Sequence, residues 1–188
     1  MKKRNNNNWI FTISIILTAI VMAFLSFVPV SIEFIKPFIV YFDPTKLLSN
    51  LPLWIFINGI ITLYSHSEKT ATLNTTLFNI VCFVSYCLFS IILTHTMPKE
   101  MFLTWIVFTL IWTIFSYLVW SANQSDSKGW ILSTLLLAIL FSTCFTYTEN
   151  TISNTTILNF LLYVFLVVIL YKGTKETLII VVSSIILA

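Results

Sequence analysis

The chain has 188 residues, 58% of them hydrophobic and only 9% charged, with a formal net charge of +3. A soluble domain of this size carries roughly a quarter charged residues to cover its surface, so this composition excludes an ordinary soluble domain. The basic residues sit between long apolar runs, where they act as topology signals, and they do not form a nucleic-acid-binding face.

The first apolar run, 9–30, follows the basic leader "MKKR". At about 22 residues it exceeds the roughly 7–15 of a signal-peptide core, and "AFLSFVPV" offers no small-x-small cleavage site. It therefore reads as a retained first span. Within it, Ala19 and Ala23 form a small-x-x-x-small step that permits close approach of a neighbouring span or of another membrane subunit. Next comes "SIEFIKPFIVYFDPTK", residues 31–46. On a helical wheel Glu33, Lys36, Val40 and Asp43 share one side, while Phe34, Ile35, Phe38, Ile39 and Phe42 share the other. That pattern predicts an amphipathic segment lying on the outer membrane surface. Its charges mark where the membrane ends; in a functional role, Glu33, Lys36 and Asp43 would form an outer lid over a cavity.

Further apolar runs at 47–65, 77–95, 102–121, 130–147 and 155–171 bring the expected spans to six. Each is near the ~20 residues that a helix needs to cross ~30 Å of hydrocarbon. The last run, 176–188, has about 12 apolar residues and reaches roughly 18 Å, so it reads as a short seventh helix. Helices are expected over strands because "FLLYVFLVVIL" lacks the alternation of a barrel strand. The longest polar stretches, 65–76 and 148–156, are too short to fold alone. The expectation is therefore one all-α transmembrane domain over residues 1–188, with no appended soluble domain.

With the N-terminus cytoplasmic, Lys2, Lys3, Arg4, Lys69, Lys128, Lys172 and Lys175 fall inside. Only Lys36, Lys46 and Lys99 then fall outside, so the positive-inside rule favours this orientation. Trp9, Trp120 and Trp130 lie at expected inner interfaces and Trp54 near the outer one. The expected location is a multi-pass chain in the plasma membrane.

Ionisable side chains at membrane depth are the usual pointers to chemistry, and none lies near the centre of the six expected spans. This argues against carboxylate proton relays and intramembrane proteases. His66 and His95 lie on opposite membrane sides and lack metal-binding spacing. Cys82, Cys87 and Cys144 form no C-x-x-C pair, and three glycines cannot build a nucleotide loop. No catalytic residue, metal or cofactor is expected.

Neutral polar groups carry more information. Asn79, Cys82, Tyr86, Ser90 and Thr94 recur at three- and four-residue steps on the third span, Thr109, Thr113 and Ser116 on the fourth, and Asn58 and Thr62 on the second beside Gly59. Trp105 and Trp112, seven residues apart, share a helix face. Such stripes glue helices together or line a ligand path, with Asn58, Asn79, Tyr86, Ser90, Trp105, Thr109, Trp112 and Thr113 as its candidate residues.

The Ala19–Ala23 step followed by "FIKPFIVYFDPTKLLSNLPLWIF", with the chain length and span count, resembles the substrate-binding subunits of energy-coupling vitamin transporters over the first third of the chain. That family is rich in Gly and Ala, and three glycines depart from it. The primary expectation is a non-enzymatic membrane component: an accessory, immunity or partner-stabilising protein. The alternative, which the resemblance also implies, is a solute-handling protein such as a small permease or a membrane substrate-binding subunit. A lipid-acting enzyme, built on interfacial Glu33, Asp43 and the histidines, ranks third.

Overall fold

The computed structural model describes residues 8–27, 51–124, 126–144 and 154–188. Among them there are seven α-helices and no strand: α1 (Asn8–Leu25), α2 (Leu51–Tyr64), α3 (Glu68–Thr94), α4 (Met101–Val119), α5 (Ser127–Cys144), α6 (Asn154–Ile169) and α7 (Thr174–Leu187). A 3-10 turn, Trp120–Asn123, continues α4. Two stretches are long and apolar enough to cross a membrane, α3 and Met101–Ala122. α1, α2, α5 and α6 contain shorter apolar stretches. The amphipathic segment 31–46, with Glu33, Lys36 and Asp43, lies outside the described residues.

α3 begins nine residues before the expected third span, and the reason is local. Ser67 and Thr70 form a capping box: the Ser67 Oγ accepts from the Thr70 N–H at 3.2 Å, and the Thr70 Oγ1 accepts from the Ser67 N–H at 2.7 Å. Thr72, Thr75 and Thr76 then donate their hydroxyls to carbonyls four residues back, so a polar stretch continues as helix. At ~1.5 Å per residue α3 is about 40 Å long, which separates His66 from His95 and rules out a site shared by the two. His95 ends the helix in the left-handed conformation, φ 55°, with its N–H donated to Ile91 O at 3.2 Å.

α2 is the central element. It touches α3 and α4 on one side and α5 and α6 on the other. Pro52 sits in its first turn, where a missing N–H costs no intrahelical bond. Two cores flank it. One joins Ala19, Ala23, Trp54, Ile61, Phe78 and Cys82 from α1, α2 and α3. The other joins Leu63, Trp112, Leu136, Leu140, Tyr163 and Leu166 from α2, α4, α5 and α6. Ala19 and Ala23 are fully buried in the first, so their close-approach step serves the neighbouring helices of this chain and is not a free docking face. α7 packs on α5, and the Ser184 hydroxyl meets the Tyr163 hydroxyl of α6 at 2.9 Å.

The distribution of polarity is inverted relative to a soluble protein. Asn58, Thr62, Thr75, Asn79 and Ser116 are fully buried. Leu73, Leu103, Ile114, Ile131, Val168 and Ile186 are all exposed, Ile114 by 69%. α1 and α3–α7 carry large apolar side chains along their exposed surfaces, while α2 exposes them only at its ends, Leu51 and Tyr64.

Candidate functional site: a cavity above a buried polar seam

The polar residues of α2 and α3 meet along one seam. Asn58 Nδ2 donates to Trp54 O at 2.9 Å, and Thr62 Oγ1 donates to Asn58 O at 2.8 Å. Across the interface Asn79 Nδ2 donates to Asn58 Oδ1 at 3.0 Å, and the Thr62 and Thr75 hydroxyls lie 3.3 Å apart. Nearer the α2–α3 turn, Asn74 Nδ2 donates to Ser65 Oγ at 3.1 Å, and Asn74 Oδ1 accepts from Thr12 Oγ1 of α1 at 3.1 Å. Trp120 Nε1 closes this end by donating to Ser65 O at 3.0 Å. Asn79 Oδ1 is buried and accepts no hydrogen bond.

The turn after α4 is a second junction. Ser133 Oγ of α5 donates to Ala122 O, and Lys172 Nζ, from the α6–α7 connection, donates to Gln124 O. Asp126 caps α5 by accepting from the Gly129 N–H at 2.7 Å. Burial pushes the Lys172 amine below its usual range, and the charges of Asp126 and Glu176 oppose that shift.

At the opposite end of the seam lies a cavity of about 420 Å³. α1 contributes Ala23 and the neighbouring Ser26; α2 contributes Leu51 and Trp54; α3 contributes Cys82 and Tyr86. α4 supplies Met101, Thr104, Trp105 and Phe108, which recur at helical spacing on one face. Trp105 is fixed by rings on three sides of its environment: Trp54 edge-on at 5.1 Å, Phe83 stacked at 5.8 Å and Phe108 edge-on at 5.9 Å. Among the described residues no lining side chain is charged.

The sequence candidates divide between these features. Tyr86 and Trp105 line the cavity. Asn58 and Asn79 lie in the seam, with Asn79 about one helical turn from Cys82 of the cavity wall. Trp112 shares a face with Trp105 but is buried in the other core, linked to it through Phe108 by successive edge-on contacts. Thr113 bonds Thr109 O and the Thr76 hydroxyl, tying α4 to α3. Ser90 is buried and donates to Thr96 O, so it secures the end of α3. Sequence reasoning missed Trp54, which it assigned to an interface and which is 9% exposed in the core beside Trp105. It also missed Phe108, although the three-residue step from Trp105 was there to be read.

Among the described residues no group of three metal-ligating side chains occurs. Among the described residues the cavity wall offers aromatic surface, the Cys82 thiol and the hydroxyls of Ser26, Tyr86 and Thr104. Comparison with protein-family models, with curated proteins and with solved structures gives no match for this chain. Any reading of its role rests on the packing, the seam and the cavity described above.

Proposed function

We propose that this chain is a polytopic plasma-membrane protein in which α1–α6 are six spans and α7 a short seventh, with a cytoplasmic N-terminus, acting as a non-enzymatic accessory, immunity or partner-stabilising component. The supporting observation is the apolar outer surface carried by α1 and α3–α7, together with the burial of Asn58, Thr62, Thr75 and Asn79. In lipid, backbone polar groups must be satisfied within each helix, and side-chain polar groups gain by meeting across interfaces. The test is cysteine accessibility in a background where the native cysteines are replaced. A cysteine at Ser67 should label only after cells are permeabilised, and one at Thr96 in intact cells. Labelling of both from one side sinks the topology. Purification in mild detergent should retain a defined partner, and a lone monomer would sink the partner-stabilising role.

The cavity favours a second reading, a solute-handling protein such as a small permease or a membrane substrate-binding subunit. Its volume is within the range of small-molecule sites, and its walls combine aromatic surface with a few polar groups. A thermal-shift screen of small metabolites that stabilises nothing would remove it.

A further inference from the structure

We infer that the cavity takes an uncharged ring compound carrying oxygen acceptors, held flat against Trp105 and hydrogen-bonded by Tyr86 and Thr104. This rests on the solute-handling reading and names the ligand class for that site.

Charge decides first. The described lining residues bring neither a carboxylate nor an amine, so among them a charged ligand would find nothing to pair it after leaving water. The seam beyond is likewise built from amides and hydroxyls. Ions, phosphates and amino acids are disfavoured on that ground.

Shape decides next. Trp105 is locked by Trp54, Phe83 and Phe108, so it presents a fixed aromatic surface at little entropic cost. The cavity holds about 420 Å³, enough for a molecule of two or three fused rings.

Hydrogen bonding then sets polarity. Elsewhere on these helices hydroxyls donate to carbonyls of the preceding turn, as Ser26, Thr62, Thr75 and Thr113 do. Tyr86 and Thr104 make no such bond, and the Trp105 indole N–H makes none either. Half-buried Tyr86 of α3 and, from α4, half-buried Trp105 and exposed Thr104 all line this one cavity. An indole N–H can only donate, and unpaired hydroxyls beside apolar walls gain most from an acceptor. Carbonyl, ether or hydroxyl oxygens on the ligand match them.

The experiment uses prodan, an uncharged naphthyl ketone, with the full chain in mild detergent. Energy transfer from tryptophan to the probe reports binding. Saturable transfer at one probe per chain, absent from empty micelles, is expected. The double variant Tyr86→Phe, Thr104→Val keeps ring and volume but removes both hydroxyls, and should weaken prodan about tenfold. Naphthalene, which has no acceptor, should bind both proteins equally. Variant and parent are compared for the same melting temperature before binding is read. Naphthoate and a naphthyl trimethylammonium compete as charged arms. Stronger binding of either charged probe keeps a solute site and overturns the ligand class. Unchanged prodan affinity in the double variant overturns the assigned donors. No saturable binding of any probe overturns the solute-handling reading itself.

Discussion

Asn79 on α3 donates its side-chain N–H to Asn58 Oδ1 on α2 at 3.0 Å, and both amides are fully buried. The Asn58 amide is held in turn by Trp54 O, so the pair has a fixed orientation. Replacing Asn79 with Ala leaves Asn58 Oδ1 buried without its partner, and is expected to cost about 1–3 kcal/mol. Chemical unfolding in mild detergent measures the loss. A cycle with Asn58→Ala should give a coupling of roughly 0.6 kcal/mol, rising at most to about 1.7. Zero coupling would show that the two amides stabilise the bundle independently.

The glycines give opposite predictions. A Cβ on Gly59 would meet Leu136 and Leu166 side chains at 3.8–3.9 Å, an ordinary contact. Gly59→Ala should therefore be neutral or stabilising by up to ~1 kcal/mol, since Ala loses less backbone freedom in a helix. A Cβ on Gly129 would stand 2.1 Å from Gln124 O, which is backbone and already binds Lys172. Gly129→Ala should lower the melting temperature and loosen the turn after α4. Equal effects at the two positions would contradict the packing described.

Trp120→Phe removes the donor to Ser65 O while keeping most of the ring. The expected cost is about 1 kcal/mol, the usual worth of one partly buried hydrogen bond. Faster amide exchange at the end of α2 should accompany it, because that carbonyl lies just past the last turn. Unchanged exchange there would show that the indole bond does not restrain the α2 end.

The pH dependence of stability follows from Lys172. Burial lowers its pKa from the usual 10.5 despite Asp126 and Glu176. Between the lowered value and the usual one the folded state binds fewer protons than the unfolded, so stability rises with pH across that window. Below it the cost of burying the charged amine is fully present. The unfolding free energy of the parent, taken relative to that of Lys172→Met, should rise with pH in the window just below the usual 10.5. A difference that is flat in pH would mean that the amine titrates normally.

What could be read in advance follows from what each signal depends on. Helix existence was legible because long apolar runs carry it, and the starts of α1, α4 and α5 fall within a few residues of the expected spans. The start of α3 was not, since Ser67 and Thr70 set it and hydropathy is blind to a capping box. The face of α3 bearing Asn79, Cys82, Tyr86 and Ser90 was visible as spacing. Which of them would meet a partner and which a cavity was not. That depends on α2, whose Asn58 bonds Asn79 and whose Trp54 stands against Trp105. Spacing along one helix reports a face, never its neighbour.

The central place of α2 has a consequence for how the chain assembles. Gly59 packs against Leu136 of α5 and Leu166 of α6, residues made roughly 80–110 positions later at the ribosome. Until those helices are made, that side of α2 lacks its packing partners from α5 and α6, while Asn58 and Thr62 are already met by α3. α1–α4 can therefore close their polar seam early. The second half arrives as an apolar layer that completes α2 from behind. Biogenesis then runs as a hydrogen-bonded front half followed by a greasy clasp, and Leu136 and Leu166 set when the bundle becomes whole.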